Sequence, residues 1–230
     1  MAIILYDLVG KEDRRFSPNA WRTRLALAHK GLDADVRPTK FTDIPGICGG
    51  GQKTVPVIDD GGRVVCDSWA IAEYLEDTYP DRPSLFGGTA GRVLTKTIQH
   101  WVVADIYTRT IPLIALDIHD HLEDADKAYF RESREKRFGK TLEALQAGRD
   151  DKVEAYRTAL HPARMTLRET PFLGGEAPMY ADYLLFAALL WPKVISPVRL
   201  IAHDDPIFAW FERCLDLYGG LAHGTLAYEW

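Results

Sequence analysis

The sequence predicts a small α/β domain over residues 1–80, a linker over residues 81–88 and an all-helical domain over residues 89–230. Three observations carry this prediction. Short β-branched runs alternate with helical patterns through the first eighty residues, an Asp-Gly turn joins two of those runs, and only helical periodicity appears beyond a Pro/Gly-rich segment.

The first run, residues 3–6, is apolar and β-branched and reads as a strand buried on both faces, which calls for a parallel or mixed sheet. Ser17-Pro18 opens a helix whose Trp21, Leu25 and Ala28 share one face while Arg22 and Arg24 point away, and Gly31 stops it. Serine suits the N-cap because its oxygen can accept a backbone N–H, and proline suits the next position because its missing N–H would have no partner there. A second strand is predicted over residues 34–37, followed by a Gly-rich loop over residues 47–51. Residues 55–58 and 63–66 flank Asp59-Asp60-Gly61-Gly62, a hairpin signal that makes those two strands antiparallel. Asp67-Ser68 then starts a helix that ends before Pro80, since a residue preceding proline avoids the helical region. Pro56 cannot donate to a ladder, which predicts a sheet edge with free backbone groups at Val55, a place where an extended peptide could add on.

Residues 81–88 contain Pro83, Gly87 and Gly88 and have linker composition. Beyond them helical periodicity recurs over residues 91–122, 127–147, 152–169, 180–191 and 207–217, with a kink or break expected at Pro112. The basic run over residues 131–140 is interleaved with Glu132 and Glu135 and reads as a solvated helix face.

Composition narrows the function. The 230 residues carry 28 Lys and Arg against 33 Asp and Glu, a formal charge of -5, so a nucleic-acid or anionic-membrane partner has no electrostatic support. The longest apolar stretch, residues 183–191, is too short to span a bilayer, and no secretory signal follows Met1. Cys48, Cys66 and Cys214 form neither a metal spacing nor a disulfide framework, which suits inert thiols in a reducing cytoplasm.

Three segments carry a family resemblance: "SPNAWRTRLALAHKG" after the first strand, "KTVPVIDDGGRVVCDSWAIAEYLEDTYP" with its Val-Pro and acidic-Ser pairs, and the C-terminal "FLGGEAPMYADY". In this order and spacing they resemble the glutathione S-transferase superfamily, serine-type, with the bacterial lignin β-etherases and fungal FuA-type transferases nearest. The resemblance implies a thioredoxin-like first domain that binds glutathione, a helical second domain that contributes the electrophile site, and a homodimer. It also implies an enzyme that activates the glutathione thiol for attack on a small hydrophobic, aromatic electrophile, with aryl-ether cleavage as one form of the reaction. A weakly catalytic or non-catalytic binding protein for hydroxylated aromatics is the alternative.

The site residues follow from the same resemblance. Ser17 would donate to the thiolate; without the family pattern it reads as a plain N-cap. Tyr6, at the end of the first strand, is the rival donor and otherwise a core aromatic. Val55 would pair with the cysteinyl backbone, with Pro56 in cis. Asp67 would face the γ-glutamyl ammonium and Ser68 its carboxylate, which is compatible with capping a helix. Lys53 would pair with the glycyl carboxylate, or else is a solvated lysine. The electrophile would sit between the loop over residues 8–16 and the helix carrying Trp101, Asp105, Tyr107 and Arg109. In the family the buried helix near Asp182 opens with Ser or Thr three residues ahead of the acid, and this chain has Met179 there, a missing cap worth about 1 kcal/mol.

The required chemistry sets a magnitude. A thiol with a pKa near ~8.5 is only a few per cent ionised at neutral pH, and lowering that value by about 2 units needs roughly 2.7 kcal/mol of differential stabilisation. A hydrogen bond to a charged group supplies about 1.5 to 3 kcal/mol and a helix N-terminus roughly 0.3 to 1.

Overall fold

The computed structural model describes residues 2–230. Four strands, β1 (Ile3–Leu8), β2 (Ala34–Thr39), β3 (Val57–Asp60) and β4 (Arg63–Cys66), form one sheet in the order β2-β1-β3-β4. β1 runs parallel to β2, with Leu5 opposite Val36, and antiparallel to β3, with Leu5 opposite Ile58. A parallel pair needs a crossover, and helix α1 (Pro18–His29) supplies it. Helix α2 (Ser68–Thr78) follows β4. The succession β-α-β then β-β-α is therefore present as a thioredoxin-like arrangement, and a helical assembly follows it.

Two expectations about the sheet need correction. β3 begins at Val57 and pairs on both sides, so Pro56 marks the start of an interior strand; the sheet edges are β2 and β4. The strand resumes pairing one residue after proline, where a backbone N–H is again available. β1 is fully buried on only one face; Ile4 and Tyr6 on the other are half-buried. The hairpin is as read from the sequence. Gly61 and Gly62 both have positive φ, at 61° and 99°, and the Asp59 carboxylate accepts from the Gly62 amide at 2.7 Å.

α1 is buried almost all round, because the sheet packs on one side and a later helix, α9 (Tyr180–Ile195), on the other. Arg22, expected to point to solvent, is 2% exposed and lies over the Tyr107 ring at 5.1 Å. Arg24 lies over Trp21 at 4.7 Å and reaches the buried carboxylate of Asp7 at 3.4 Å. A one-sided amphipathic reading fails for a helix sandwiched between two layers.

Asp7 is 1% exposed, and neither of its oxygens has a hydrogen-bond partner, although Arg15 and Arg24 lie within 3.6 Å. Burial pushes its carboxyl up from 3.8 to about 6, with the two arginines offsetting part of the cost. A carboxyl with a raised folded value favours folding while protonated, and that contribution is lost as pH climbs from the unfolded value through about 6. This amounts to about 3 kcal/mol. Between pH ~4 and ~7 the stability of the parent should fall by about that much relative to Asp7→Asn, as read from urea unfolding at several pH values. Equal slopes in the two proteins would remove the assignment.

The helical part comprises α3 (Thr89–Trp101), α4 (Thr108–Asp120), α5 (Asp124–Phe138), α6 (Leu142–Gln146), α7 (Arg149–Ala159), α8 (His161–Thr166), α9, α10 (Pro206–Leu215) and the one-turn α11 (Leu217–Gly220). α4 passes through Pro112 unbroken; the irregularity lies one turn earlier, as a wide π-type turn over Val102–Tyr107. The Thr108 hydroxyl there donates to the carbonyls of Ala104 and Asp105 at 2.8 and 2.9 Å, partnering groups that the wide turn loosens. The single helix expected over residues 127–147 is split by Gly139 at φ 66°, after which Thr141 caps α6. The one expected over residues 152–169 divides near Pro162. α9 is apolar on every side and forms the centre of the helical core. No helix among the described residues is long and apolar enough to cross a membrane.

Candidate active site

A cavity of about 540 Å³ opens between the sheet-bearing part and the helices α4 and α5. Ser17, Lys53, Val55, Pro56, Asp67 and Ser68 all line it. Six residues spread over fifty positions thus meet on one surface. Tyr6 does not line it; its ring faces Arg37 at 5.9 Å, and burial followed by Cys48 raises its hydroxyl above the ordinary value.

Ser17 is 6% exposed at the N-terminus of α1, and its Oγ accepts from the Ala20 amide at 3.3 Å. The oxygen is engaged and the hydroxyl proton remains free to donate. Pro18 occupies the first helical position, so the first orphan amide of the helix is that of Asn19, which also lines the cavity. The loop before Ser17 is fastened at several points. The Lys11 amide donates to the His121 carbonyl at 2.7 Å, Arg14 donates to the Val194 carbonyl at 2.7 Å, and the Trp21 indole donates to the Arg15 carbonyl at 2.6 Å. At Gly10 a Cβ would lie 2.6 Å from the His121 carbonyl oxygen, so only glycine permits this approach.

Across from Ser17, the Val55–Pro56 bond is cis, and among the described residues neither the amide nor the carbonyl of Val55 joins a backbone pair. The free edge predicted at Val55 is therefore local to that residue. Asp67 caps α2, its Oδ1 accepting from Trp69 and Ala70 at 2.9 and 3.1 Å. Its backbone sits at φ 76°, ψ 129°, a region that costs a side-chain-bearing residue about 1 to 3 kcal/mol. Ser68 is 4% exposed, and its carbonyl accepts from Tyr180 of α9 at 2.8 Å, so the central helix props the start of α2. Lys53 is exposed at the cavity rim with no carboxylate partner among the described residues.

The far wall differs from expectation. Tyr107 lines the cavity and its hydroxyl donates to Asn19 at 3.4 Å, whereas Trp101, Asp105 and Arg109 do not line it. Arg109 and Asp105 pair with each other at 2.6 Å on the exposed side. Most of that wall comes from residues the sequence left without a role: Phe41, Ile111, Phe130 and Phe138, with Arg134 and Arg137. The basic run over residues 131–140 is thus only partly a solvated face. Arg131 pairs with Glu135 and Glu143, but Arg134 and Arg137 reach the cavity. Helical spacing of three had already put Arg131, Arg134 and Arg137 on adjoining stripes; which stripe faced the cavity depended on how α5 docks. Docking is set by the buried Asp126, which accepts from the Phe41 and Thr42 amides and the Thr42 hydroxyl at 2.8 to 2.9 Å.

The cysteines are not part of this site. Burial pushes the thiols of Cys48 and Cys214 up, and so away from the reactive thiolate form.

With this geometry established, similarity to known proteins is decisive. The model of the glutathione S-transferase C-terminal domain matches residues 93–217, and that of the N-terminal domain matches residues 16–78. The chain belongs to the glutathione S-transferase family. It is 28% identical over 215 residues to a glutathione S-transferase-like protein, ustS, of Aspergillus flavus, spanning 81% of this chain and 78% of that one. A glutathione S-transferase of Ceriporiopsis subvermispora, solved in complex with glutathione, superposes with a TM-score of 0.81 at 25% identity over 95% of this chain and 96% of its own. The transferase GSTFuA3 of Phanerochaete chrysosporium does so with a TM-score of 0.77 at 28% identity, over 96% and 92%. The FuA-type resemblance drawn from the sequence agrees with these neighbours.

Proposed function

We propose that this transferase binds glutathione as co-substrate along Val55, Asp67 and Ser68 and directs its sulfur, beside Ser17, at an aromatic electrophile held between Tyr107, Phe41 and α5. The observation that carries the reading is convergence: a free hydroxyl at one helix start, an unpaired backbone edge and a second helix start face a single cavity. The start of α2 favours the γ-glutamyl carboxylate at Ser68, while Asp67 faces the ammonium. Lys53 answers the glycyl carboxylate. Residues 1–80 then hold glutathione, and residues 89–230, across the 81–88 linker, supply the electrophile wall.

In the reaction the thiol loses its proton to solvent, the thiolate sulfur forms a bond to the electrophilic carbon, and the leaving group departs with its electron pair. If the bond broken is an aryl ether, the leaving group is a phenoxide. Ser17 donates to the sulfur anion, since an unassisted serine is too weak a base to remove the proton. A protein that merely stored hydroxylated aromatics would need no such donor.

Asp67→Ala tests the reading. Glutathione affinity, measured by calorimetry, should weaken about tenfold or more, with about 1 kcal/mol of stability lost through the cap. Unchanged affinity would remove the basis for the site. A homodimer in the cytoplasm fits the same reading: Val64 on β4 and Val93 and Leu94 on α3 are apolar and exposed, the last two by 65% and 68%. Sedimentation should then give about twice the 25.9 kDa chain mass, and a clean monomer would count against it.

A further inference from the structure

We propose that the electrophile carries a carboxylate, which docks against Arg134 and Arg137 at the far end of the cavity. This inference rests on the glutathione reading above and names the class of the second substrate: an acidic aromatic compound.

The charges lining the cavity are Lys53, Arg134 and Arg137 against Asp67 alone, and the Asp67 carboxylate is engaged by two amides of α2. Glutathione consumes Asp67 with its ammonium and Lys53 with its glycyl carboxylate, leaving two guanidinium groups unanswered. No carboxylate pairs with either among the described residues. Two acids of the same helix are engaged elsewhere, Glu135 with Arg131 and the Leu142 amide and Asp126 with Phe41 and Thr42, and Glu132 is exposed to solvent.

Arg134 is held for recognition. Its guanidinium lies over Phe130 at 4.7 Å and Phe41 at 5.7 Å, and Ser133 takes one of its hydrogens at 3.0 Å. The remaining donors keep the fork that accepts a carboxylate in bidentate fashion. Burial among these rings pulls its pKa down; Tyr129 offsets part of that and the neighbouring Arg137 adds to it. Arg137 lies over Phe138 at 5.4 Å and is exposed at the cavity mouth. Aromatic faces with a cation at their rim fit an aryl acid: the ring packs on Phe41, Phe130 and Phe138, and the carboxylate meets the arginines.

The probes are a chlorodinitrobenzoate, with chlorine para to the carboxylate, and its methyl ester. In both, glutathione sulfur replaces chlorine, chloride leaves with the bonding pair, and the thiol proton goes to solvent. Taking kcat/KM relative to the uncatalysed rate, the parent should favour the acid over the ester by about tenfold or more. Arg134→Gln and Arg137→Gln should each erase most of that preference, and Arg137→Lys should restore part of it. Arg137 is exposed, so its substitution leaves folding intact. Arg131→Gln, on the same helix but paired outside the cavity, should keep the parent's preference. Equal use of acid and ester by the parent would overturn this inference while leaving glutathione transfer standing. So would a variant whose only change is a raised KM for glutathione, which would move the arginines to the glycyl carboxylate. No turnover of either probe by a parent that binds glutathione would overturn both readings.

Discussion

Replacing Ser17 by alanine should slow turnover at pH 7 by about 3- to 25-fold while leaving glutathione affinity nearly unchanged. The magnitude follows from ionisation. With the bound thiol titrating near ~6.5, about three-quarters of it is thiolate at neutral pH, whereas a return toward ~8.5 leaves about three per cent. Ser17 offers both devices that hold the value down, a free hydroxyl proton and the amide end of α1. Alanine removes the first and leaves the second, so the inflection in the pH profile should rise by roughly 1 to 2 units. The loss falls on the ionised state and therefore on kcat. Tyr6→Phe should do far less, because Tyr6 faces Arg37 and Cys48 outside the cavity. A Ser17→Ala protein with the parent's pH profile would overturn the role of Ser17, and a large effect in Tyr6→Phe would hand that role to the tyrosine.

The parts of this site that could be read from sequence are those built by local rules. Ser17-Pro18 is a helix start because of what serine accepts and proline lacks, Val55-Pro56 is a break in a ladder, and Asp67-Ser68 is a second helix start. Each rule operates within four residues, so each survived folding; only the meaning of Pro56 changed, from sheet edge to strand start. The far wall obeys no local rule. Arg134 and Arg137 face the cavity because Asp126, eight residues ahead of Arg134, fastens α5 to the segment that begins at Phe41. That contact links residues 85 positions apart. Arg22 illustrates the same limit. Its burial follows from α9 packing on the side of α1 away from the sheet, and nothing within α1 announces a second neighbour. Helix boundaries failed where a single glycine or a proline near a helix start, Gly139 and Pro162, ended one helix and began another inside a continuous polar pattern.

The largest effect on folding should come from Asp182, in the first turn of the helix around which the second half of the molecule packs. Its carboxylate is fully buried and accepts four hydrogen bonds. The Leu173, Gly174 and Met179 amides donate at 2.7, 3.0 and 3.0 Å, and the Trp210 indole donates at 2.9 Å. Met179 provides no side-chain cap in return, so the start of α9 depends on this one acid more heavily than a reciprocal cap would require. The Met179 side chain instead fills the space above Gly174, where a Cβ would come within 2.5 Å of Met179 Cγ. Asp182→Ala would take the acceptor from three amides of the partly buried turn ahead of α9 and from the buried Trp210 indole N–H, at a cost of about 3 to 5 kcal/mol, a large fraction of the roughly 5 to 15 kcal/mol typical of a folded domain. Asp182→Asn keeps one acceptor oxygen and should lose less. Both should lower the urea midpoint, the alanine variant more, and the pH inflection of whatever enzyme remains folded should stay at the parent value because Ser17 and α1 are untouched. A loss below about 1 kcal/mol in Asp182→Ala would mean that these four donors find water or other partners, and that the start of α9 is not held by this carboxylate.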